Sequence, residues 1–153
     1  MVAGDTETTP TVVRAEREIA ADPQAIFELI ADPAHQPHWD GNDNLGSAAE
    51  GQRVRAVGEV FATILTKGSV RENHVVEFVE GRLIAWRPAE VGKRPPGHLW
   101  RWELEPIAEG RTRVIHTYDW TELTDVNRFS RARGTTKDNL HASLDRLAAL
   151  AEG

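Results

Sequence analysis

Residues 134–153 read GTTKDNLHASLDRLAALAEG, and the fold turns on how this stretch is read. Leu140, Leu144, Leu147 and Ala151 recur at i, i+4, i+7 and i+11, the spacing of one helix face, with Thr135 or Thr136 placed to cap the first turn. A long helix with a single apolar stripe must bury that stripe against another layer. The layer has to be found upstream.

Between Asn44 and Thr121 the chain alternates apolar and polar residues in short runs broken by turn signals. Strands are expected over 53–66, 70–79, 82–87, 98–105 and 113–121, with a weaker one over 44–48. The intervening breaks, such as Lys67-Gly68, Glu80-Gly81 and Glu109-Gly110, are short enough to demand antiparallel hairpins. A further strand starts near Val12, where Val13, Ala15, Arg17 and Ile19 share one face and Arg14, Glu16 and Glu18 the other. Between it and the meander, Asp22-Pro23 opens a helix carrying Ile26, Phe27, Leu29 and Ile30, and Asp32-Pro33 repeats the signal for a second short one limited by Pro37. The expectation is an α+β domain over residues 12–153. In it, a curved antiparallel sheet of about seven strands wraps the terminal helix. Residues 1–11, polar and rich in threonine, read as a disordered tail.

Composition narrows the chemistry. A chain of 153 residues can bury a sizeable core without staples, and it has no cysteine, which removes disulfides, thiolate metal sites and thiol nucleophiles together. A net charge of −6 argues against a nucleic-acid partner. No apolar run reaches the roughly 20 residues that span a bilayer, and the first residues lack the pattern of a signal peptide, so a cytoplasmic protein is expected. Glycine-rich phosphate loops, GxSxG elbows and HExxH pairs are all missing from the sequence.

The order of elements, together with five phrases, resembles the SRPBCC/START-like superfamily, the helix-grip fold, in its polyketide cyclase/dehydrase-like branch. The phrases are REIAADPQAIFELIADP (17–33), PHWDGND (37–43), HVVEFVEGRLIAWRP (74–88), RWELEPIAEGRTRVIHTYDW (101–120) and LDRLAALAE (144–152). The resemblance implies a cavity between sheet and long helix. Relatives use it to bind hydrophobic small molecules, lipids or hormones, or to cyclise and dehydrate polyketides without a cofactor.

Residues 34–43, AHQPHWDGND, raise a metal reading, since His35 and His38 with Asp40 or Asp43 could form a His-His-carboxylate set. Pro37 breaks the regular helix that would align them, so the expected role is a structural corner with Trp39 tucked beneath the sheet and no metal. Trp100, Trp102 and Leu104 share a strand face, as do Val114, His116, Tyr118 and Trp120 on the next strand. These aromatics, with Trp39, Phe61, Phe78 and Trp86 and with Leu140 and Leu144 of the helix, are the expected walls for an aromatic or polycyclic ligand. Packing alone would account for Trp102 and Leu104. Polar groups facing such a cavity are the catalytic candidates: His74 or His116 as base, Tyr118 or Arg17 as stabiliser of an enolate. A lone histidine on a mixed face is more often structural, and one bulge would reverse its face. Two basic stretches, 87–101 and the segment holding Arg128, Arg131 and Arg133, could meet a carboxylate or phosphate at the mouth, or lie solvated. Three readings follow: a cyclase or dehydrase, a ligand carrier, or an interaction protein with a filled core. Each leaves room for a homodimer.

Overall fold

The computed structural model describes residues 10–153. Strand β1 (Val12–Ile19) leads into helix α1 (Pro23–Ala31), a 3-10 turn (Pro33–His35) and the single-turn helix α2 (Gln36–Trp39). Six strands follow: β2 (Leu45–Ser47), β3 (Val60–Leu65), β4 (Val70–Val79), β5 (Leu83–Glu90), β6 (Leu99–Ala108) and β7 (Arg111–Asp119). A 3-10 turn (Val126–Arg128), the short helix α3 (Phe129–Gly134) and the long helix α4 (Lys137–Glu152) close the chain. The strands form one antiparallel sheet in the order β1-β7-β6-β5-β4-β3-β2. This is the helix-grip fold.

Helix α4 grips the sheet as its spacing requires. Leu140, Leu144 and Leu147 are fully buried, Ser143 and Ala148 join them, and Ala151 packs at the margin. Thr136 begins the helix, its backbone N–H donating to Asn139 Oδ1 at 2.9 Å. On α1, Ile26, Phe27, Ile30 and Ala31 are buried. The Asp32 carboxylate accepts the Ala34 N–H and starts the next turn.

Residues 34–43 form a corner. Trp39 is buried, donates its indole N–H to Leu29 O at 2.8 Å, and meets Trp102 edge-on at 5.1 Å. Asp40 accepts backbone N–H groups from Asn42 and Asn44. Gly41 lies directly on α4, its N–H donating to Ser143 Oγ at 2.8 Å, and Arg146 of α4 holds Asp40 O and Asp43 Oδ1. His35 sits 3.9 Å from Asp32, and among the described residues no group of three His, Asp or Glu comes together.

Two expectations need correction. Only Val60–Leu65 of the strand placed over 53–66 is a strand, because Arg53 and Val54 are drawn to α1 instead. Val54 N–H bonds Ala31 O, while the Arg53 guanidinium bridges Glu28 and Glu80 above the Phe27 ring. The segment holding Arg128, Arg131 and Arg133, for which no helix was expected, is helical over Phe129–Gly134. The tail placed over 1–11 falls largely outside the described residues, yet Thr11 is anchored, accepting the Trp120 N–H at 2.8 Å and sharing a hydroxyl bond with Thr121.

Candidate ligand cavity

The sheet curls, and its concave face is built from rungs in which inward residues of neighbouring strands stand side by side. One rung runs Val13, Tyr118, Trp100, Trp86, Val75; the next runs Ala15, His116, Trp102, Ile84, Phe78. Between this face, the α2 corner, α3 and α4 lies a cavity of about 760 Å³. That volume suits a small organic molecule of a few hundred daltons.

One wall is aromatic. His116 stacks on Trp102 with ring centroids 3.6 Å apart and planes 14° from parallel, and the Trp100 ring lies near-parallel to the imidazole at 5.6 Å. Trp100 also tilts against Tyr118 at 4.4 Å. The imidazole is 2 % exposed, and its Nδ1 lies 3.0 Å from Arg101 O. A carbonyl only accepts, so Nδ1 carries the proton and Nε2 holds the lone pair. Burial pushes the His116 pKa down to about 3, outweighing the pull of that hydrogen bond. Burial also raises the Tyr118 phenol to about 12, against the opposing effects of Thr135, Arg131 and Arg128, so it stays a hydroxyl donor.

The other wall is polar. Arg71 and Asn73 of β4, His98 before β6, Arg128 and Arg131 around α3, and Asn139 and Ser143 of α4 line it. Asn73 donates to Thr63 Oγ1 and Phe61 O, tying β3 to β4 at the cavity floor. Burial, helped by Arg128, Arg71, Arg87 and Arg131, lowers the His98 pKa to about 4.

Of the residues proposed from sequence, Trp39, Trp86, Trp100, Trp102, His116 and Tyr118 line the cavity. The others do not. His74 pairs with Arg87 on the opposite face, because a bulge between Val75 and Glu77 shifts the alternation so that Asn73, Val75 and Phe78 point inward. Arg17 reaches the flank of α4 and pairs with Asp145 at 2.6 Å. Phe61 is spent on Trp86, edge-on at 5.3 Å, and Phe78 on Phe27 at 5.6 Å. Trp120 lies beyond the end of β7 against Phe129 and Arg133, and Leu140 and Leu144 are core. Sequence reasoning missed Arg71, Asn73 and His98. His98 shares the parity of Trp100 and Trp102, a signal that was available.

The two depressed histidines set a pH dependence. Both have folded pKa values below the ordinary 6.5, so between about pH 6.5 and 3 the unfolded chain binds protons that the folded chain refuses. Stability is therefore full above about pH 7.5 and falls with acidification, by about 2 kcal/mol per histidine at pH 5. Urea midpoints measured across pH 5–7.5 should show that decline, and His116→Gln should remove about half of it. The lowered carboxylates Glu28, Glu80 and Asp43 act only below their ordinary range near pH 4. An unchanged slope in His116→Gln would show that the imidazole is charged in the folded protein.

A sequence model of the family described as polyketide cyclase / dehydrase and lipid transport matches residues 10–152. The uncharacterized protein Rv0088 of Mycobacterium tuberculosis is 26 % identical over 147 residues, covering 91 % of this chain. The chain spans 63 % of that relative's length. Among solved structures, protein NE0264 from Nitrosomonas europaea superposes with a TM-score of 0.69 at 15 % identity, covering 93 % of this chain and 94 % of that one. The ginseng major latex-like protein 151 from Panax ginseng gives 0.62 at 15 % identity, over 93 % and 97 %. Both likenesses concern the fold.

Proposed function

Because the chain belongs to the polyketide cyclase / dehydrase and lipid transport family, we propose that it takes a planar, largely apolar small molecule into its cavity, without a cofactor. The observation that carries this reading is the aromatic wall, in which Trp100, His116 and Trp102 form a continuous stack beside Tyr118. A flat ring system can extend such a stack, and the Tyr118 hydroxyl can donate to an oxygen on its edge. Binding is favoured over acid-base turnover by the state of His116. A base with a pKa near 3 is protonated by few carbon acids at neutral pH, so the cyclase role read from sequence suits this imidazole poorly.

Fluorescence provides the test, since four of the five tryptophans line the cavity. Titration with neutral 1,8-dihydroxyanthraquinone should quench the emission saturably, and Trp100→Ala should weaken that binding by about tenfold, the cost of one lost aromatic contact of about 1.5 kcal/mol. Native mass spectrometry of freshly purified protein should show a mass excess that disappears on denaturation when a ligand is carried through purification. Linear, unsaturable quenching would refute the proposal.

A further inference from the structure

The protein carries a net charge of −6, yet the cavity wall is basic. Lys67, Arg71, Arg128 and Arg131 line it, against a single acid, Asp40, whose two oxygens already accept from Asn42 and Asn44. Arg128 is neutralised by Glu90 at 3.0 Å and Asp125 at 3.3 Å. Glu90 is shared again with Lys93. Arg71 stands next to these groups with only the carbonyl of Val70 as a hydrogen-bond acceptor, and Arg131 has no ion pair among the described residues. His98 lines the same end of the cavity with its Nδ1 buried and unpartnered. Several arginines of the chain have no ion pair among the described residues. Here two of them, on different elements, converge on the polar end of the cavity, beside the aromatic stack, where His98 lies 6.1 Å from the Tyr118 ring.

We propose that the ligand is an amphipathic carboxylate: a flat apolar body against Trp100 and Trp102, and an anionic head held by Arg71 and Arg131 with His98 donating from Nδ1. The proposal rests on the binding function above and names its ligand class. Guanidinium groups match a carboxylate with paired, charge-assisted hydrogen bonds. Desolvation by burial, followed by repulsion from Arg128, already lowers the Arg71 pKa, so an anion arriving there relieves an existing strain of like charges. His98, kept neutral by burial and then by the same cluster, keeps a tautomeric proton to donate without adding charge.

Three probes of equal shape test this: anthraquinone-2-carboxylate, anthraquinone-2-sulfonate and neutral 2-(hydroxymethyl)anthraquinone, each titrated by tryptophan quenching. The carboxylate should bind at least about tenfold tighter than the neutral probe, the return expected from hydrogen bonds to a charged group. Arg71→Gln and Arg131→Gln should each remove most of that preference, read as the ratio of the carboxylate's affinity to the neutral probe's on the same variant. Arg131 is exposed, so its variant keeps the test valid if Arg71→Gln unfolds. A sulfonate preferred over the carboxylate would overturn the assignment to carboxylates. Equal affinity for anionic and neutral probes would overturn the anion site and leave the binding function standing; no binding of any probe would overturn both.

Discussion

Gly41→Ala is expected to lower the melting temperature by about 10 °C. A Cβ at this position would stand 2.5 Å from Ser143 N, 2.6 Å from Asn139 O and 2.7 Å from Ala142 Cβ, and two of those three atoms are helix backbone. Such atoms do not move aside singly; the corner and α4 must separate. Separation would stretch the Gly41 N–H bond to Ser143 and the Arg146 clasp on Asp40 and Asp43, and it would loosen Trp39 beneath Trp102. Overpacking combined with lost hydrogen bonds costs about 3–4 kcal/mol, and for a chain of this length each kcal/mol moves the midpoint by about 2–4 °C. Differential scanning calorimetry reads the result. A shift under 3 °C would mean that the corner is free to lift off the helix.

The second large effect is at Trp102. Its side chain is wholly buried, with one face against His116 and its edge against Trp39, and alanine there should cost about 3–5 kcal/mol in chemical denaturation. Trp102→Phe should cost less. It keeps the stack and deletes an indole N–H that is buried without a partner. The alanine variant should also admit water to His116 and bring its pKa back toward the ordinary histidine range, visible as an imidazole NMR shift near neutral pH. A cost below about 1.5 kcal/mol would show that the wall collapses to fill the gap, and the cavity would then be smaller than described.

The periodicities that fix the fold are strong because burial acts on whole faces. Leu140, Leu144 and Leu147 had to lie together, and the tryptophans of β6 had to face them. The departures come where one local interaction outweighs the pattern. The β4 bulge is invisible in Val75-Val76-Glu77, since either valine can be buried; alternation therefore favoured His74 and passed over Arg71 and Asn73. Arg53 and Val54 look like strand residues, but their partners Glu28, Glu80 and Ala31 lie far away in sequence. Helix α3 left little signal: Asp125 caps the 3-10 turn before it, while its own N-cap, Arg128, makes no side-chain cap bond. The site was half legible for the same reason. Its aromatic wall follows strand parity, whereas its basic wall is assembled by the bulge and by a helix too short to announce itself.

The place of β1 in the sheet has a consequence for the newborn chain. Among the described residues its one strand partner is β7, at the opposite end of the meander, and residues 20–110 must be synthesised between them. At about 5–20 residues per second, translation leaves β1 without its partner for roughly 5–20 s. Through that wait the alternate charges Arg14, Glu16 and Glu18 keep one side of the segment hydrated and discourage pairing with a neighbouring nascent chain. The sheet is thus stitched shut late, when the ribosome has delivered every strand that will line the cavity but not yet the helices α3 and α4 that close it.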